Sequence, residues 1–171
     1  MKYGIAIFPS KKLQDVANSY RKRYDSHYSL IPPHVTIKEA FESEEEDLPE
    51  LLEEMRSVAS ETSPFTMEVY KFGSFHPVTN TIYMKVREND TLTTLRERLN
   101  SGKLEHHYDY QFVPHITIGQ QLDNDECSDV FGRLKMESVN HEELVDRFSL
   151  LYQLDNNTWT VYETFRLGKG E

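Results

Sequence analysis

Pro33-His34-Val35-Thr36-Ile37 returns half the chain later as Pro114-His115-Ile116-Thr117-Ile118, with one β-branched aliphatic exchanged for another. Alternating β-branched residues read as a strand, in which residues two apart share a face. Each copy then presents His and Thr on one face and Val35/Ile37 or Ile116/Ile118 on the other. The first face carries chemistry and the second suits burial. Strand propensity accounts for the valine, isoleucine and threonine but not for the histidine. A lone His-x-Thr is ordinary; two copies at equivalent places in two similarly ordered halves point to a site.

Around the first copy, Tyr3 to Phe8 reads as an apolar strand ended by Pro9. Ser10 is placed to cap a helix whose apolar positions are Leu13, Val16, Ala17, Tyr20 and Tyr24. Past the motif, Glu42 to Asp47 is an acidic loop, and Asp47 with Glu50 resembles a capping box. Leu48, Leu51, Leu52, Met55, Val58 and Ala59 then form one helix face, followed by strands over Phe65–Phe72 and Thr81–Val86. The second half repeats the plan. Leu92, Leu95 and Leu99 mark a helix stopped near Gly102, a loop with His106, His107, Tyr108 and Tyr110 enters the second motif, and a helix carries Cys127, Val130, Phe131 and Leu134. Strands over Phe148–Leu154 and Trp159–Phe165 flank a turn at Asp155-Asn156-Asn157.

Each half thus reads strand, helix, His-x-Thr strand, helix, strand, strand, with Thr81–Val86 closing the first unit and opening the second. The expected fold class is α+β: one domain of two pseudo-two-fold-related lobes, roughly 1–80 and 81–171. Each lobe is expected to be an antiparallel-rich sheet with helices on its outer face, the two His-x-Thr strands facing a central cleft. Length suffices for a sizeable core. The net charge of −10 argues against non-specific binding to a nucleic-acid backbone but leaves room for a small phosphate site. The lone Cys127, the lack of a long apolar run and an N-terminus without a signal pattern fit a cytoplasmic protein with no membrane partner.

Two histidines on one face, one neutral and one charged, suit acid–base chemistry near neutral pH. On a phosphodiester, one imidazole accepts a proton from the attacking hydroxyl and the other protonates the departing oxygen. The Thr36 and Thr117 hydroxyls, on the same face, donate to non-bridging phosphate oxygens. Neither metal nor cofactor is required, and no His or Cys near the motifs completes a zinc set.

The paired motifs and the half-chain order resemble the two-histidine (2H) phosphoesterase superfamily, and more closely its bacterial YjcG-like branch. The resemblance covers essentially the full length on few specific residues. It implies a bilobal α+β fold and metal-free action on 2′,3′-cyclic phosphates or 2′–5′ linkages of RNA or nucleotides. It further implies that His34 is the proton donor, His115 the proton acceptor, and Thr36 and Thr117 the phosphate ligands. A basic residue follows the second motif in many members, whereas Gly119-Gln120 stands here; Lys38-Glu39-Ala40-Phe41 stands where many have an aromatic-Gly pair. Lys38, two residues beyond Thr36, is the additional candidate for a phosphate cation.

The expected partner is therefore a small nucleotide or an RNA terminus. The alternative is a binding module that keeps the cleft without turnover; an interaction domain using the acidic 42–47 loop is a third reading. The aromatic loop reads as a surface loop pinned by its rings, with base stacking the sharper option. His27 is expected to favour a helix C-terminus, and His76 and His141 to face solvent.

Overall fold

The computed structural model describes residues 1–168. Its elements are β1 (Lys2–Ile7), α1 (Lys11–Tyr24), β2 (Val35–Glu42), α2 (Leu48–Ser60), β3 (Phe65–Ser74), β4 (Ile82–Val86) and α3 (Asp90–Arg98). A 3-10 turn (Gly102–Leu104), β5 (His115–Gly119), α4 (Asn124–Leu134), β6 (His141–Val145), β7 (Arg147–Gln153) and β8 (Trp159–Arg166) complete them. The fold is α+β, as the alternation of periodicities predicts. All eight strands pair antiparallel in one sheet, ordered β6-β3-β4-β5-β2-β1-β7-β8.

The two expected sheets are thus joined edge to edge, through Val35 opposite Ile116 on β2 and β5. Nor does the sheet divide near residue 80. β1 and β2 share their half with β7 and β8, while β3 lies with β4, β5 and β6. β3 of the first unit and β7 and β8 of the second have crossed to the opposite half, where β3 pairs with β4 and β7 with β1. Helices cross over too. α1 packs on β5 and α4 on β3, whereas α2 packs on β8 and α3 on β2. The two β–α–β units that end in the motifs are β1-α1-β2 and β4-α3-β5, so Thr81–Val86 does open the second unit.

Local sequence explains most boundaries. Ser10 caps α1 by accepting from the Leu13 amide, and Asn89 and Asp123 cap α3 and α4 the same way. Asp47 does not: its side chain makes no capping bond, its backbone is already helical, and Pro49 in the first turn sets the start of α2 instead. The core lies between sheet and helices and includes Ile5, Val35, Ile37, Met84, Ile116 and Ile118 beneath Leu13, Met55, Val58 and Leu95, all fully buried. Burying such side chains contributes roughly 1.5–3 kcal/mol each. The motif strands are therefore held rigidly by their aliphatic faces. β6 was not legible: His-Glu-Glu-Leu-Val lacks an apolar alternation, and the strand forms by pairing with β3 along Phe65–Val69.

Candidate active site

Antiparallel pairing of Val35 with Ile116 fixes what faces what. It sets His34 across from Thr117 and Thr36 across from His115. Val35 and Ile116 are both buried, so all four polar residues emerge on the opposite, cleft side. Directly opposed Cβ atoms lie about 4.5–5.5 Å apart, and diagonal ones roughly 7–8 Å. The two histidines occupy a diagonal, a spacing that admits one phosphate between their rings. His34 sits one residue before β2 and His115 begins β5.

Both rings are fixed alike. His34 Nδ1 lies 2.8 Å from the Pro32 carbonyl and His115 Nδ1 lies 2.6 Å from the Val113 carbonyl. A carbonyl only accepts, so each Nδ1 carries the proton and a neutral ring offers the Nε2 lone pair. His115 is packed by Phe75 and Tyr83, with ring centroids at 5.0 and 5.1 Å, and Phe8 approaches His34 at 6.4 Å. Burial pushes the His34 imidazole down to about 4. The Pro32 carbonyl opposes that shift, Arg21 and His115 add to it, and Asp25 opposes it. Burial also lowers His115, against the pull of the Val113 carbonyl and Glu39. Both shifts favour the neutral imidazole over the charged one.

Two cavities meet at the threonine pair, sharing Thr36, Glu39, Thr117 and Gln120. The first, of about 340 Å³, is polar and adds His34, Arg21, Asp25, His27 and Trp159. The second, of about 790 Å³, adds His115, Arg96, Phe75, Tyr108, Tyr110 and Phe112. The aromatic loop is pinned, as expected, and it also walls this second cavity. Tyr108 donates to Asn100 Oδ1 at 3.0 Å and accepts from the Glu39 amide, while Tyr110 donates to Glu39 Oε1 at 2.6 Å.

Lys38 lines the first cavity with His34 and Thr36, but its ammonium does not point with theirs. β1 pairs Ala6 with Thr36 but Ile5 with Lys38, so β2 carries an extra residue, a bulge. The bulge turns Lys38 to the side of Ile5, where its ammonium donates to Asn100 Oδ1 at 3.2 Å and to the Leu104 carbonyl. It is 3% exposed, and burial lowers it to about 8. Strict alternation placed it beside Thr36; a one-residue bulge reverses the side.

Two arginines outside the motifs also line the cleft, Arg21 in the first cavity and Arg96 in the second. Arg21 falls on the buried stripe of α1, at helical spacing from Leu13 and Ala17. A charged residue on an apolar stripe was the available signal. Gln120 donates to Asp25 Oδ1 at 2.8 Å, tying the position after the second motif to the end of α1. His27 lies two residues past Asp25, the C-cap of α1, where its amide donates to Asp25 Oδ1 at 2.8 Å, and it also lines the first cavity. His141 is not solvent-facing: it contacts Glu143 at 2.7 Å, and Glu143 also accepts from Ser10. His76 is exposed. Among the described residues no group of three or more His, Cys, Asp or Glu converges as a metal site, and no helix is long and apolar enough to cross a membrane.

The antiparallel sheet with its helices is similar in fold to solved LigT structures. E. coli LigT complexed with 3′-AMP superposes at a TM-score of 0.73 and 14% identity, covering 97% of both chains. TT0787 of Thermus thermophilus superposes at 0.76 and 22% identity over the whole of both chains. The family described as the 2′-5′ RNA ligase superfamily matches residues 8–157. This chain belongs to that superfamily, the 2H phosphoesterases. It is 58% identical over 171 residues to a chain from Halalkalibacterium halodurans named "Putative phosphoesterase BH1439", covering all of both. It is 59% identical over 169 residues to "Putative phosphoesterase OB1230" of Oceanobacillus iheyensis, covering 99% of each.

Proposed function

We propose that the chain is a metal-independent phosphoesterase that hydrolyses a 2′,3′-cyclic phosphate or a 2′–5′ linkage of an RNA end or small nucleotide. The observation that carries the reading is the register itself: two imidazoles on a diagonal, two threonines on the other, one cleft face. The phosphoesterase names of the full-length relatives, and the 3′-AMP of the LigT complex, agree with that substrate class.

In the reaction, His115 Nε2 accepts a proton from water as its oxygen attacks phosphorus. The bond to the 2′ or 3′ oxygen breaks, and His34 Nε2–H protonates the departing alkoxide. Thr36 and Thr117 donate to the non-bridging oxygens, where charge gathers in the transition state. The role of each histidine rests on the superfamily resemblance, since both rings are anchored alike. Because burial keeps His34 neutral in the empty cleft, the phosphodiester anion is what raises it and recruits the acid's proton. Gln120, committed to Asp25, brings no charge to the cleft. That favours a second reading, a module that binds nucleotides without turnover.

Purified protein assayed with EDTA against 2′,3′-cyclic nucleotides and cyclic-phosphate-ended oligonucleotides separates the two. Turnover lost in both His34→Ala and His115→Ala supports the enzyme. Binding of the same compounds by wild type without conversion supports the module. Turnover that survives either substitution, or that EDTA abolishes, overturns the acid–base account.

A further inference from the structure

The two motif-bearing units each end their helix with an arginine four residues before a polar side chain: Arg21 before Asp25, and Arg96 before Asn100. Their fates differ. Arg21 is saturated: Nε donates to Asp25 at 3.0 Å, one terminal nitrogen to Asn18 at 2.7 Å, and the other to the Ile31 carbonyl at 2.5 Å. The Arg21 and Asp25 side chains are each 2% exposed. That cation is already neutralised.

Arg96 is half-buried on the wall of the aromatic cavity beside His115 and Thr117. Its guanidinium carbon lies 4.3 Å from the Tyr108 ring centre and 4.7 Å from that of Phe112. Among the described residues its side chain makes no hydrogen bond and no ion pair. The nearby acid, Glu39, takes the Tyr110 hydroxyl instead. Every buried side-chain nitrogen and oxygen among the described residues has a partner, so the Arg96 nitrogens are open rather than sealed. Contacts with two aromatic faces hold a guanidinium plane and leave its N–H edge free, the form suited to bidentate recognition of phosphate.

We propose that Arg96 is a substrate-binding residue whose guanidinium edge donates to a phosphate oxygen of the nucleotide. It supplies from α3 the cation that Gly119-Gln120 does not supply from β5. The inference rests on the phosphodiester reading of the cleft. It also assigns direction: the nucleotide lies along the aromatic cavity, on the His115 side, and not in the polar cavity that Arg21 and Asp25 close.

The test is binding by wild type, Arg96→Ala and Arg96→Lys of three probes: inorganic phosphate, adenosine 2′-phosphate and adenosine 2′,5′-bisphosphate. Affinity is read by calorimetry, and the His34 and His115 imidazole signals by NMR. A charged hydrogen bond lost on truncation predicts ~10- to 100-fold weaker binding in Arg96→Ala, with partial recovery in Arg96→Lys. Weakening with all three probes assigns Arg96 to the phosphate between the histidines; weakening with the bisphosphate alone assigns it to a flanking phosphate. Equal affinities of wild type and Arg96→Ala for every probe overturn the inference, whatever happens to thermal stability. If phosphate moves neither imidazole signal in wild type, the phosphodiester reading fails first, and the two failures are told apart.

Discussion

The two sides of the cleft come from equivalent units and have been finished differently. On the His34 side an arginine, an aspartate and a glutamine satisfy one another inside a cavity of about 340 Å³. On the His115 side an arginine lies against two rings, with no ion-pair partner among the described residues, in a cavity of about 790 Å³. The saturated side holds β5 to α1, through Gln120 to Asp25 and the Gln120 amide to the Tyr24 carbonyl. The unsaturated side is where an incoming anion gains the most. Pseudo-symmetry of backbone therefore does not carry over to side-chain pairing: the same helix-end arginine is a brace in one unit and, among the described residues, a donor without a partner in the other.

The most severe way to break that comparison is Arg21→Ala. It leaves Asp25 charged, buried and without its partner, and is expected to cost about 3–5 kcal/mol of stability. Arg96→Ala strands no buried group and should cost about 1 kcal/mol or less. Denaturant unfolding of both variants checks the contrast, and equal losses would remove it.

Acid sharpens the comparison from the histidine side. The folded pKa of His34, about 4, lies below the ordinary 6.5, so between those values the unfolded chain binds more protons. Stability from this group is complete above about pH 6.5 and falls as pH drops toward 4. Unfolding curves across that range should therefore flatten in His34→Asn. A slope unchanged by the substitution would place the proton elsewhere. Phosphate binding should be accompanied by proton uptake near pH 6, visible as a dependence of calorimetric heat on buffer ionisation.

The smallest effect expected is that of Tyr110→Phe. Tyr110 is 58% exposed, and its hydroxyl makes one bond to Glu39. Its loss should change stability by less than about 1 kcal/mol while loosening the aromatic loop. Faster amide exchange over 106–112, with the rest unchanged, is the readout.

How much of this could be read from residues follows from what each feature depends on. The motif strands, the helices and the side on which His34, Thr36, His115 and Thr117 emerge depend on local periodicity, and periodicity was sufficient. The crossing of β3 and β7 into opposite halves depends on which strand edge is free after the units assemble, and nothing local encodes that. Lys38 was misplaced because a bulge is set by the partner strand, through Ile5, and not by β2 alone. Arg21 and Arg96 were passed over because neither belongs to a motif. Arg21 did stand on an apolar helix stripe, whereas the setting of Arg96 is built by Tyr108 and Phe112, more than ten residues away in the chain.

The claim that everything else rests on is that the two His-x-Thr strands form one site. A double-mutant cycle on turnover of a 2′,3′-cyclic nucleotide tests it most directly. Each of His34→Ala and His115→Ala is expected to cost ~100- to 10,000-fold in kcat. Because the two imidazoles act as a unit, the double variant should be no slower than the slower single one. Losses that multiply, or one single variant with full turnover, would show two independent histidines and contradict the account.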